Sequence, residues 1–279
     1  MTGGGTGLGS AMARRFASLG AKLTLCGRRK SPLEEMAATI REAGGAAEAV
    51  PCNVRHADRV EAAVDEAEER QGPVTALVNN AAGNFLARSE QLDARGFDAV
   101  LSINLYGGFH CTTALGRRWI ERGHGGSVLS ITTTYTDTGG PFVLPSAVSK
   151  AGMVTMSRTL AVEWGRHGIR LNCISPGPIP TKGAWDRLMP DPAFEEQLRA
   201  KVPLGRFATR DELGDLAVFL ISDLSASVTG QVVELDGGAR LAGHGSFNGL
   251  LEVPPEELTR HFEALRPLAR KPRPEEGSR

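Results

Sequence analysis

Short apolar runs alternate along the chain with longer stretches in which apolar residues return every three or four positions. Five runs, AKLTLCG (21–27), TALVNNA (75–81), GSVLSIT (126–132), IRLNCIS (169–175) and GQVVELDG (230–237), have the length and boundaries of strands. Between them Leu8, Met12, Phe16 and Leu19 share one helical face, as do Val60, Val64 and Ala67. Strand–helix alternation predicts an α/β chain, a single-domain doubly wound parallel sheet of the Rossmann type with helices on both faces. No internal repeat or Pro/Gly-rich linker divides the chain before about residue 250, so residues 1–250 read as one domain. Residues 251–279 read as a mobile tail, one short helix followed by a charged, proline-rich and disordered end.

Composition narrows the partners. With 279 residues, 41% of them hydrophobic, the chain can bury a substantial core, and its formal net charge of zero favours neither nucleic acid nor an anionic membrane. No apolar run approaches the roughly 20 residues of a membrane span. Four cysteines (Cys26, Cys52, Cys111 and Cys173) form no CxxC pair and read as buried free thiols in a reducing cytosol, hence a cytoplasmic protein. The six histidines lack metal-ligand spacing, so no metal is expected, and His110 and His167 read as structural or surface residues.

Candidate chemistry starts with TGGGTGLG (2–9), which places Gly3, Gly7 and Gly9 directly before an amphipathic helix. Glycines let a backbone approach a pyrophosphate, and the helix N-terminus offers free N–H groups and partial positive charge. Arg28 and Arg29 follow the strand at 21–27, where guanidinium groups suit a ribose 2′-phosphate better than free ribose hydroxyls. Farther on, SITTTYTDTGGPFVLPSAVSKAG (130–152) carries Tyr135, one of two tyrosines, and a helix with Ser146 and Lys150 on one face. Tyr106, the other, falls in a helix pattern and reads as a packing residue. Thr133 and Tyr135, two apart in an extended segment, would share a face towards the same volume.

With VNNAAGN (78–84), SINL (102–105) and SPGPIPT (175–181), these motifs resemble the short-chain dehydrogenase/reductase family over residues 2 to about 240. The resemblance implies NADP(H) as cofactor. It would be held by Gly3, Thr6, Gly7, Leu8 and Gly9 of the loop, and by Arg28 and Arg29 at the 2′-phosphate. Asn53, Val54, Asn79 and Ala81 would line it, Lys150 would hold the nicotinamide ribose, and Pro176, Gly177, Pro178 and Ile179 would pass the nicotinamide ring. It also implies a homotetramer. Asn53 stands where the family usually has an aspartate near the adenine. The glycine loop begins at residue 2, so the family's first, central strand is missing from this sequence, and a start about ten or more residues earlier is expected. Two neighbouring strands would otherwise carry unpaired N–H and C=O groups in the interior, at roughly 1–3 kcal/mol for each.

The family's tyrosine normally sits one helical turn before the lysine, and here that position is Ser146. Reducing a ketone leaves an alkoxide that needs a proton. Reducing a conjugated thioester instead builds charge on the thioester oxygen, which needs preorganised donors. A phenol is neutral at pH 7 and can be one donor, with Asn84 beside it as a second. The segments NNAAGNF (79–85), SITTTY (130–135), PSAVSKAG (145–152) and PGPIPTKGAWDRL (176–188) resemble the family's 2,4-dienoyl-CoA reductases, in which the tyrosine has moved to the position of Tyr135. That likeness implies Tyr135 and Asn84 as donors to the thioester carbonyl and Ser146 and Lys150 as support. It implies acyl-CoA contacts at Arg55, Phe85 and Arg187. The expected activity is NADPH-dependent reduction of a 2,4-dienoyl-CoA to a 3-enoyl-CoA in unsaturated fatty acid degradation. Reduction of a trans-2-enoyl or 3-oxoacyl thioester, and a catalytically silent NADP-binding protein, stay open as alternatives.

Overall fold

The computed structural model describes residues 1–181, 192–242 and 247–269. Six strands, β1 (Lys22–Gly27), β2 (Ala46–Pro51), β3 (Ala76–Asn79), β4 (Gly126–Ile131), β5 (Ile169–Pro176) and β6 (Val232–Leu235), pair in parallel throughout. Helices α1 (Gly7–Ser18), α2 (Lys30–Glu42), α3 (Ala57–Gln71), α4 (Ala94–Leu101) and α5 (Gly107–Glu121) precede β4. The short α6 (Tyr135–Thr138) and the long α7 (Leu144–Trp164) lie between β4 and β5. Then come α8 (Pro192–Ala200), α9 (Arg210–Ile221), the short α10 (Ala239–Ala242) and α11 (Pro255–Ala269). The last is a full 15-residue helix rather than the short one expected of the tail.

The five expected strands are present, four with ends trimmed by a residue or two and β5 longer by one residue. β2 had not been expected: AAEAVP has little β-branched character and only a faint alternation, and it becomes a strand because β1 pairs along its whole length. Two apolar layers cover the sheet. One packs Met12, Phe16, Ala37, Leu213 and Leu220 of α1, α2 and α9 against Leu25, Ile131 and Ile174. The other packs Val60, Ala63, Cys111, Leu115 and Trp164 of α3, α5 and α7 against Val50, Val128 and Leu171. Trp119 is fully buried, its indole N–H donating to Val74 O at 2.6 Å. All four cysteines are free thiols, Cys26 half-buried and the others buried.

The sheet is divided between β1 and β3. β1 and β2 form one two-stranded sheet, and β3, β4, β5 and β6 form another in that order. Among the described residues, 1–3 bridge them. Cys26 N–H donates to Met1 O (2.8 Å), Gly3 N–H to Cys26 O (2.7 Å) and Thr2 N–H to Val78 O (2.9 Å). Below this bridge a cavity of about 370 Å³ opens between β1 and β3.

Candidate active site

The carboxyl ends of the strands open onto a cleft of about 610 Å³, the position where doubly wound sheets place their ligands. One wall is the glycine loop. Thr2 fixes it to the end of β3, its hydroxyl accepting from Asn80 N–H and Ala81 N–H at 3.0 Å each. Asn80 Nδ2 in turn donates to Thr2 O (3.2 Å) and Gly3 O (3.1 Å). Two glycines in this loop have a steric reason. A Cβ on Gly9 would stand 2.1 Å from Gly3 O, and one on Gly3, at φ +65°, would meet Asn80 Nδ2 at 2.8 Å. Thr6 caps α1 without a side-chain bond, and Thr6, Gly7 and Leu8 face the cleft, leaving the first N–H groups of the helix for an anion.

Arg28 and Arg29 line the same cleft from the end of β1, both exposed and, among the described residues, without an ion-pair partner. Asn53, Val54 and Ala81 also line it, as do Pro176, Gly177, Pro178 and Ile179. Gly9 lies behind the loop, not on the cleft. Asn79 is buried beneath it, its amide donating to Thr112 Oγ1 at 2.9 Å, and Asn80 takes the lining place next to Ala81. A cradle of glycines under a helix N-terminus, with two uncommitted guanidiniums at its rim, fits a phosphorylated dinucleotide. The residues that would hold it are the loop from Gly3 to Leu8, Arg28, Arg29 and Lys150.

The opposite end of the cleft gathers polar side chains from three elements. Tyr135 begins α6 rather than ending a strand, because β4 stops at Ile131 and the chain turns at Thr133 and Thr134. Thr133 and Tyr135 nonetheless both line the cleft. The Tyr135 hydroxyl lies 3.2 Å from Ser146 Oγ, and it accepts from Asn84 Nδ2 at 3.4 Å. Ser146 and Lys150 project from one face of α7 and both are buried. Lys150 Nζ donates to Ile131 O at 2.5 Å, and burial pulls its pKa down from 10.5 to about 8, slightly opposed by Cys173.

Behind Asn84 stands a residue whose role the sequence reading had not assigned. Asn104, 2% exposed, accepts from Gly83 N–H (2.8 Å) and donates to Gly83 O (3.1 Å) and Ser149 Oγ (3.0 Å). It thereby ties the Asn84 loop to α7. Asn104 sits in a π-helical turn, Ser102–Tyr106, a local widening frequent at functional sites. That turn also corrects the reading of Tyr106, which is 54% exposed instead of packed. The signal available in the sequence was Asn104 itself, a short amide inside an otherwise apolar helix pattern.

The expected acyl-CoA contacts are less gathered. Phe85 follows Asn84 at the edge of the cleft and is exposed, its N–H held by Asn84 Oδ1 at 2.9 Å. Arg55 is exposed and its Nε donates to Asn53 Oδ1 at 3.2 Å. Arg187 lies outside the described residues. His110 and His167 are occupied locally, by Val54 O at 2.9 Å and Arg166 Nε at 3.2 Å.

Known proteins are similar to this chain in sequence and fold. Residues 3–240 match the family model described as Enoyl-(Acyl carrier protein) reductase. A Caenorhabditis elegans protein named as a probable 2,4-dienoyl-CoA reductase producing (3E)-enoyl-CoA is 42% identical over 255 residues, 89% of this chain and 82% of the relative. A Bacillus subtilis protein named as a probable 2,4-dienoyl-CoA reductase producing (2E)-enoyl-CoA is 39% identical over 239 residues, 85% of this chain and 94% of the relative. The crystal structure of a short chain dehydrogenase from Bacillus anthracis superposes with a TM-score of 0.80 at 39% identity, covering 88% of this chain and 96% of that one.

Proposed function

The chain belongs to the short-chain dehydrogenase/reductase family, and from that premise we propose that it is an NADPH-dependent reductase of 2,4-dienoyl-CoA thioesters, yielding the 3-enoyl-CoA. One observation carries the reading: the only tyrosine on the cleft, Tyr135, meets Asn84 and Ser146, while the position one turn before Lys150 holds serine. The names of the relatives support the substrate class.

NADPH held along the glycine loop would supply the hydride. Tyr135 and Asn84 act at the far end of the substrate. Their mutual contact of 3.4 Å is long for a hydrogen bond, so a thioester oxygen entering between them gains two donors at small cost. Hydride arriving at C5 sends charge through the diene to that oxygen, and the phenol and the amide hold the resulting dienolate. A proton taken from solvent water then adds to C2, leaving the double bond between C3 and C4. Ser146 orients the Tyr135 hydroxyl, and the Lys150 ammonium, desolvated and fixed on Ile131 O, adds positive potential behind both. Arg55, Phe85 and Arg187 complete the proposal as contacts to the acyl-CoA. Homotetramer formation and residence in the cytoplasm remain part of the same proposal.

A second reading has its own support, since the matching family model is described as a reductase of enoyl thioesters, and the same two donors would hold the enolate of a trans-2-enoyl substrate. Reduction with 4-deuterated NADPH separates the two. Deuterium at C5 beside a C3–C4 double bond, read by NMR, supports the dienoyl reaction. Deuterium at C3 identifies an enoyl reductase, and turnover confined to 3-oxoacyl thioesters overturns both.

A further inference from the structure

Tyr135 is carried by a segment that its own packing does little to hold. α6 has four residues, none of them buried, and Thr134 ahead of it makes no side-chain capping bond. Thr136 N–H and Thr136 Oγ1 donate to Thr133 O at 3.2 and 3.1 Å, and Gly139 N–H to Tyr135 O at 3.1 Å, all within the segment. A helical turn this short is marginal in water on its own. The contacts of the phenol, 3.2 Å to Ser146 Oγ and 3.4 Å to Asn84 Nδ2, are long. A firmer tether has to come from outside the segment.

Arg240 supplies it. Its Nη1 pairs with Asp137 Oδ2 at 3.2 Å, and among the described residues Asp137 has no other ion-pair partner. Arg240 Nε faces Glu234 Oε1 at 3.3 Å, so one guanidinium is shared between two carboxylates. The arginine's own backbone is held by the buried Asp236 carboxylate, which accepts from Gly238 N–H at 2.8 Å and from Arg240 N–H at 2.7 Å. Asp236 lies against Gly177, where an added Cβ would stand 2.9 Å from the Asp236 Cβ. Gly177 N–H in turn donates to Leu235 O at 3.0 Å, and Pro176 is in register with Leu235. Arg240 is therefore anchored to the Pro176–Ile179 wall of the cleft and reaches from there to the turn that carries Tyr135.

We propose that Arg240 is a positioning residue for the reduction: its pair with Asp137 fixes α6 to the end of β6 and so sets where the Tyr135 hydroxyl stands. The proposal rests on the reading of Tyr135 as a donor to the thioester oxygen. Asp137 is two residues from Tyr135 on the same turn, so a shift of one moves the other. A reacting oxyanion is sensitive to such a shift, since a misplacement of about 1 Å can cost up to 10²-fold in rate. The folded state is not, because an ion pair with one partner half in solvent adds little to stability. Loss of the pair should therefore be read in turnover and hardly in melting.

The test follows NADPH oxidation by the full chain with 2,4-hexadienoyl-CoA as probe. Arg240→Met and Asp137→Asn are each expected to lower kcat about tenfold, with the KM for NADPH unchanged and Tm shifted by about 4 °C or less. Arg240→Lys keeps the charge and should recover part of the loss. Because both residues act through one contact, the double variant should lose no more than either single one. Because that contact acts through Tyr135, Arg240→Met placed on a Tyr135→Phe background should cause no further loss of kcat. Full kcat in Arg240→Met beside a disabled Tyr135→Phe would overturn the proposal and leave the donor reading standing. So would a further tenfold loss on the Tyr135→Phe background, or a raised KM for the thioester at unchanged kcat, which would mark Arg240 as a substrate contact. Near-normal turnover in Tyr135→Phe would overturn the donor reading itself and this proposal with it.

Discussion

Removing the Tyr135 hydroxyl is the sharpest perturbation of the proposed chemistry. In Tyr135→Phe the ring stays and one oxygen goes, together with its contacts to Ser146 Oγ at 3.2 Å and Asn84 Nδ2 at 3.4 Å. Both contacts are long and the side chain is half-buried, so the folded state should lose about 1 kcal/mol or less, a fall in Tm of roughly 2–4 °C. The reacting state should lose far more. One of two donors to a developing oxyanion is typically worth 10²–10³ in rate, or about 3–4 kcal/mol. Turnover of a 2,4-dienoyl-CoA, followed at the NADPH absorbance band, should therefore drop by two orders of magnitude or more while the fold survives. Tyr106→Phe, at an exposed ring outside the cleft, should leave both quantities unchanged.

Asn84→Ala gives the second side of a cycle. Because both donors act on one oxygen, the double variant should cost less than the product of the two single losses. A Tyr135→Phe enzyme that keeps more than about a tenth of its kcat would refute the reasoning, since no donor worth several kcal/mol could then reside in that hydroxyl. Ser146→Ala is expected to cost less than either, because Ser146 reaches the substrate only through Tyr135.

Three further outcomes follow from the same geometry. Arg28→Ala and Arg29→Ala should each narrow a preference for NADPH over NADH of tenfold or more, since a charge-assisted bond to the 2′-phosphate is worth roughly 1.5–3 kcal/mol; kcat/KM for the two cofactors checks it. Gly9→Ala should abolish cofactor binding measured by NADPH fluorescence, because its Cβ collides with Gly3 O and displaces the loop. Lys150, lowered by burial to about 8, gives up its proton in the folded state at a pH where the unfolded chain still holds it, so stability should rise with pH from about 8 towards 10.5 and lie at its lower level below 8. Lys150→Met should remove that rise in denaturant titrations, and activity that needs the ammonium should fall over the start of the same window.

How much of this could be read from the chain depends on the range over which each signal acts. β4 and β5 were legible almost residue for residue, because Val128, Leu129 and Ile131, and Ile169, Leu171, Cys173 and Ile174, concentrate apolar side chains in a short segment bounded by turn residues. The helical spacing of Ser146 and Lys150 was equally local, and it survives in the structure. β2 was not legible, since its alanines acquire strand geometry only from pairing with β1. Tyr106 failed for a different reason. A π turn spends an extra residue on one helical turn, so each side chain beyond it is rotated by about 100° from where a regular spacing places it. Within that turn Asn104 is buried and Tyr106 exposed.

The cleft residues divide along the same line. Arg28, Arg29 and Gly3 and Gly7 of the glycine loop, which line the cleft, could be picked out because the motif proposed for a phosphate is contiguous, and contiguity is what a sequence displays. Asn79 and Asn80 are adjacent, and only the twist at the end of β3 decides that the first bonds Thr112 beneath the sheet and the second reaches the glycine loop. Tyr135 was found by an argument about chemistry, that a hydride acceptor needs an acid or a donor and a cleft with serine at the usual place must bring one from elsewhere. The path by which it arrives was misjudged, as a helical turn replaces the extended segment. The side chain still meets Asn84 and Ser146, because a hydroxyl at the tip of a long side chain can reach one position from more than one backbone route.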